Sequence, residues 1–134
     1  MRIDWNDLWI NFALLVSQRS TDEKYKVGCV IVSKDNTRVL ALGYNGDEKG
    51  GSNSRESMNS GCSGFIHAEI NALIKCDYNY NGDKVMYITH SPCKMCAKAI
   101  INGGIKEVFY LNKYSDISGI LLLKQNNIFC KQVK

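Results

Sequence analysis

The chain of 134 residues has one proline, and nowhere does it string together the roughly 18 apolar residues that a bilayer-spanning helix requires. It also lacks any block of consecutive Lys or Arg. Although 17 basic residues exceed 13 acidic ones, for a net charge of +4, no stretch is built to track a nucleic-acid backbone. A small anion is as fitting a partner as a polymer. The opening residues MRIDWNDLW carry acids where a signal peptide carries basic and then purely apolar residues. A cytoplasmic location is therefore expected, with neither a membrane nor a stable nucleic-acid partner. Thiols stay reduced in that compartment, so the six Cys are expected to be core residues or metal ligands rather than a disulfide framework. With 45% hydrophobic residues, residues 1–134 suffice for one domain around one core.

What the chain does have is periodicity. Trp5, Leu8, Trp9, Phe12, Leu15 and Val16 recur at steps of three and four, which predicts one apolar stripe on a first helix capped by Asp4. VGCVIVS (27–33), the turn KDN (34–36) and TRVLALGY (37–44) read as a hairpin with a buried first strand, and Cys29 as a core thiol. Residues 45–63 hold many Gly, Ser and Asn without period, a loop that is either functional or mobile. Ile66, Ile70, Leu73 and Ile74 space as a second helix, followed by the strand KVMYITH (84–90). Met95, Ala99 and Ile100 mark a third helix, ended by Gly103 and Gly104. EVFYL (107–111) is a strand, Ile117 to Lys124 a last helix, and IFCKQV (128–133) a last strand. Strands separated by helices run parallel through right-handed crossovers. The predicted fold is therefore α/β: a three-layer α/β/α sandwich with a mixed five-stranded sheet whose last strands are parallel. Ligands in such folds bind where strands end and helices begin, and His67 and the Cys93/Cys96 pair both fall at helix starts.

A C-x-x-C pair alone serves redox sites and structural zinc as readily as catalysis. Here it stands in SPCKMC (91–96), and upstream lies FIHAEI (65–70), so the chain spells H-x-E…P-C-x-x-C, the signature of zinc-dependent nucleobase deaminases. His67, Cys93 and Cys96 give a tetrahedral ion three protein ligands, which leaves one position open, as catalysis needs and structural zinc does not. Glu69 has no purpose in ligation alone but has one as a general acid/base beside the metal. Two residues apart, His67 and Glu69 converge only if the first helical turn points end-on at the metal. His90, three residues before Cys93, is a rival ligand, with a partly exposed strand-end His as the plainer reading.

The motifs QRS (18–20), KVGCVIV (26–32), GYNG (43–46), HAEINAL (67–73), MYITHSPCKMCAKAI (86–100), GIKEVFY (104–110) and Tyr114 resemble those of the deoxycytidylate (dCMP) deaminases, in the cytidine deaminase-like superfamily. The resemblance implies zinc-dependent hydrolysis of dCMP to dUMP and ammonia, feeding dTTP synthesis. It implies one catalytic Zn2+ on His67, Cys93 and Cys96, with Glu69 moving protons to N3 and the leaving amine. By the same resemblance Ala68 and Ser91 hold the base through backbone groups, Asn45 reads the sugar hydroxyl, and Ser20, Lys24 and Lys26 meet the 5′-phosphate. Tyr114 then flanks the nucleotide. Further implications are a homohexamer activated by dCTP and inhibited by dTTP with Mg2+, with Asn45, Gly46, Lys49 and Arg55 as candidate effector contacts.

Each assignment has a plainer counterpart. Asn45-Gly46 is a hairpin-turn dipeptide, Ser20 a helix terminator, Lys24 and Lys26 solvated charges, and Tyr114 a sheet-end aromatic. Cys62, Cys76 and Cys130 read as incidental thiols. Many relatives hold a second zinc partly by Cys and His before the HAE motif, whereas residues 47–66 contain only Cys62 and no His, so no second zinc is expected. Glu48 stands where relatives place a Pro after GYNG. The alternatives are another deaminase of the superfamily, acting on cytidine or an RNA base, and a non-catalytic zinc domain.

Overall fold

The computed structural model describes all 134 residues as α1 (Trp5–Ser17), β1 (Gly28–Ser33), β2 (Val39–Tyr44), α2 (Ala68–Lys75), β3 (Lys84–His90), α3 (Lys94–Asn102), β4 (Ile105–Asn112), α4 (Ser118–Gln125) and β5 (Phe129–Gln132). The five strands form one sheet in the order β2-β1-β3-β4-β5. β1 pairs antiparallel with β2 and β3, while β3-β4 and β4-β5 are parallel, the mixed pattern expected from the order of elements. Cys29 is fully buried in the core.

α1 lies on one face of the sheet, where Trp9, Ile10, Ala13 and Val16 meet Val30, Val32, Val85, Tyr87 and Phe109. α2, α3 and α4 cover the other, where Ala68, Ala72, Ala97, Ile100, Ile120 and Leu123 meet Cys29, Ile31, Met86, Ile88 and Val108. The predicted α1 stripe is corrected at two positions. Leu15 is 70% exposed and Trp5 52%, while Ile10 and Ala13 are buried. Leu15 lies six residues beyond Trp9, about 240° around a helix of 3.6 residues per turn, so it faces away from the sheet. Trp5 overhangs the first turn and stacks on Trp9 at 5.9 Å.

The second helix differs in the same way. Ile66 is not in α2 but forms an isolated bridge with Gly46, and Ile74 is exposed. The residues that α2 buries are Ala68, Glu69 and Ala72. A Cβ on Gly43 of β2 would overlap the backbone of Ala68 and Ala72, so the helix sits directly on the strand and small residues mark the contact. α4 approaches the Pro92–Cys93 backbone just as closely at Gly119, where a Cβ would overlap it. Both contacts fix the ends of helices that carry the site.

Candidate active site

The N-termini of α2 and α3 meet at the end of the parallel strands. His67 caps α2 in an extended conformation (φ −69°, ψ 154°), and Cys93 caps α3 likewise (φ −73°, ψ 171°), its Sγ accepting the Cys96 N–H at 3.4 Å. Because His67 precedes the helix, it does not share the helical geometry that separates positions two apart. Its ring turns toward the cysteines while Glu69 enters from the first turn.

His67 Nδ1 lies 3.2 Å from Cys96 Sγ and 3.6 Å from Cys93 Sγ, and the three donor atoms fall within 4.8 Å of one another. One imidazole nitrogen and two sulfurs at helix N-termini are a zinc donor set with room for a further ligand. The residues fit the metal. His90 is not in this cluster; its Nδ1 lies 2.9 Å from Thr89 Oγ1, which also accepts the Gly28 N–H.

The electrostatics follow from the geometry. The Cys96 thiol, together with the His67 ring and the Cys96 N–H, pulls Cys93 down to about 4 against its burial. The same contact and burial push Cys96 up. His67 is raised by its hydrogen bond to Cys93. Glu69 is buried, which raises its carboxyl to about 7, opposed by a backbone N–H and by His67. A carboxyl poised near neutrality beside a nitrogen–sulfur cluster can accept and return protons.

A cavity of about 260 Å³ opens onto this cluster, lined among others by Asn45, Arg55, Glu69, His90, Ser91 and Tyr114. Ala68 lies on its wall, and Ser91 Oγ accepts the Tyr114 N–H at 2.9 Å. Tyr114 stacks on His90 (5.3 Å) and meets Tyr25 edge-on (5.9 Å). Asn45 is consumed by the scaffold: its Oδ1 accepts the Val27 N–H at 2.9 Å, and its Nδ2 donates to the Tyr25 carbonyl at 2.9 Å and to Asp22 at 3.3 Å.

Three residues tied to the phosphate by resemblance stand off the cavity wall. Ser20 is buried, its hydroxyl donating to the Asn45 carbonyl at 3.0 Å. Lys24 Nζ donates to the Met58 carbonyl at 2.7 Å and sits over the Tyr25 ring, and Lys26 is exposed. The effector candidates separate as well. Asn45, Gly46 and Lys49 line a second concavity with Arg19, Thr21 and Tyr44, whereas Arg55 lies in the cavity beside Glu69. There its Nη1 donates to both oxygens of Asp22, at 2.7 and 2.6 Å. Burial raises the Asp22 carboxyl, but the Lys24 N–H and Arg55 outweigh it and hold Asp22 below its usual range. Asp22, Tyr25 and the lining role of His90 were not evident from sequence. Only the aromatic and charged character of these positions near known motifs hinted at them.

The family described as "Cytidine and deoxycytidylate deaminase zinc-binding region" matches residues 3–112. ComE operon protein 2 of Bacillus subtilis is 37% identical over 84% of this chain, which spans only 62% of that protein's length. Human deoxycytidylate deaminase is 34% identical over 85% of this chain and 68% of its own length. Among solved structures, dCMP deaminase from cyanophage S-TIM5 in complex with dCMP and dUMP superposes with a TM-score of 0.85 at 31% identity, covering 99% of each chain.

Proposed function

The chain belongs to the cytidine and deoxycytidylate deaminase family, and on that premise we propose that it converts dCMP and water to dUMP and ammonia. The observation that carries the reading is the His67–Cys93–Cys96 cluster with the buried Glu69 beside it in one cavity. A Zn2+ ion held by those three side chains supplies Lewis acidity that makes water nucleophilic at neutral pH. Glu69 takes one proton from the attacking water and hands it to N3 of the pyrimidine, then takes the remaining hydroxyl proton at C4 and delivers it to the amine, which leaves as ammonia. Its burial keeps the proton available near neutral pH. Backbone groups of Ala68 and Ser91 hold the base edge. The Tyr114 ring, stacked on His90, flanks the base and keeps bulk water from the reacting carbon. Asn45 shapes the sugar end by joining the 22–27 segment to the GYNG turn.

In the same reading the protein works in the cytoplasm as a homohexamer. The concavity of Gly46 and Lys49 takes a nucleoside triphosphate, dCTP activating and dTTP with Mg2+ inhibiting. The support for assembly and effectors is family resemblance alone. The decisive trial is ammonia release from dCMP by zinc-loaded protein with a Glu69→Ala control. Release by the wild type and a loss of about 100-fold or more in the variant is expected. A wild type inert on dCMP, CMP and cytidine alike sinks the reading, and an active Glu69→Ala protein removes Glu69 from its role.

A further inference from the structure

Three carboxyls, Asp22, Glu69 and Asp116, line the active-site cavity, and Arg55 is the one Arg or Lys on its wall. Such a lining repels a phosphate unless the guanidinium receives it. Lys24 is occupied by the Met58 carbonyl and the Tyr25 ring, and Lys26 stands outside. Resting on the deaminase reading, we propose that Arg55 is the residue that selects nucleoside 5′-monophosphates, receiving the phosphate on its free Nη2 edge while Asp22 holds the other edge.

The geometry of the guanidinium leaves that edge available. Nη1 is used by both Asp22 oxygens and Nε donates to the Ser57 carbonyl at 3.0 Å, which leaves Nη2 without a protein partner. No buried side-chain nitrogen or oxygen in the protein lacks a partner, so Nη2 is reached by solvent. The side chain is only 6% exposed, and Arg55 is among the residues that line the cavity. Asp22 is itself fixed, accepting the Lys24 N–H at 2.8 Å and the Asn45 amide at 3.3 Å, so the guanidinium plane is set before a ligand arrives. A buried ion pair is weak evidence for stability, whereas a pre-oriented guanidinium with a free donor edge suits the planar recognition of a phosphate. Arg55 comes from the aperiodic 45–63 loop, and that loop thereby carries the one cation of the site over the pocket.

The test compares ligands that differ only in phosphate. Zinc-loaded wild type and Arg55→Gln are titrated by calorimetry with dUMP and deoxyuridine, and kcat/KM is measured for dCMP and deoxycytidine. The wild type is expected to favour the phosphorylated ligand by about 30-fold or more, and the variant to keep about a threefold preference or less. Arg55→Met, which retains the buried stem, is the second variant should Gln unfold the loop. A preference that survives substitution, or an equal weakening of dUMP and deoxyuridine, would make Arg55 a loop strap and overturn the proposal. Arg55-dependent binding of dUMP without turnover of dCMP keeps this inference and sinks the deaminase reading. Turnover of deoxycytidine in preference to dCMP by the wild type does the reverse.

Discussion

On one face of the sheet a single helix is held mostly by rings, with one close backbone approach where a Cβ on Gly28 would overlap Ala13. Trp9 tilts against Phe12, its indole N–H donates to Asn36 at 2.9 Å, and beneath it Tyr87 stacks on Phe109 at 5.0 Å. On the opposite face three helices reach the strands through Ala68, Ala72 and Ala97, and the close approaches at Gly43 and Gly119 leave no space for a Cβ. Large aromatic side chains can follow small shifts of a helix, because ring pairs are favourable in offset-stacked and edge-on arrangements alike. Backbone-to-backbone contacts cannot. The metal-ligand cluster grows from the second face, where such contacts lie at the helix ends that carry the ligands, whereas the one on the first face, at Gly28, meets α1 at Ala13 and Ser17. The difference teaches that the first face carries more of the tolerance and the second the accuracy at the cluster.

The largest way to test that division is Cys96→Ala. It removes a buried sulfur from the accurate face, and zinc affinity should fall by more than the ~100-fold typical of losing an outer partner, read by metal content after dialysis. Retained stoichiometric zinc would break the comparison. Next is Trp9→Ala on the tolerant face, expected to cost about 3–5 kcal/mol in denaturant unfolding while the folded fraction keeps its zinc affinity. A parallel loss of metal affinity would mean the two faces are not separable.

The same contrast explains what could be read from sequence. The hairpin, the parallel strands and the order of elements were legible because β-branched runs such as VGCVIVS and the turn KDN act locally. The His67, Glu69, Cys93 and Cys96 cluster was legible as a motif, and the end-on geometry that spacing within a helix forbids came from His67 lying before α2 rather than inside it. Apolar periodicity was inexact on both faces, at Trp5 and Leu15 of α1 and again on α2. Ile74 matched the period yet is exposed, since alanines make the contact and a hydrophobicity pattern gives them little weight. Asp22 with Arg55 was illegible for another reason: the two are 33 residues apart and meet only when the aperiodic loop folds back.

Gly119→Ala has a smaller effect than either substitution above, and it sharpens the link between helix position and metal. The added methyl would overlap the Pro92 and Cys93 backbone, so α4 or the Cys93 turn must shift by about an ångström. Zinc affinity should fall by about 10-fold to 100-fold, with a stability loss of about 1–3 kcal/mol. A stability loss with unchanged zinc affinity would show that the Cys93 turn keeps its place independently of α4.

The smallest effect belongs to Leu15→Lys. Leu15 is apolar and matches the α1 period, yet it points away from the sheet, and Lys is as good a helix former as Leu. Unfolding free energy should therefore move by less than about 0.5 kcal/mol, measured by urea denaturation. A loss above about 1 kcal/mol that shrinks on dilution would mean that a second copy of the chain covers Leu15, since only a bound partner makes the cost of an exposed substitution depend on concentration. In that event α1 would have two packed sides, and the tolerant face would owe part of its stability to assembly rather than to its rings.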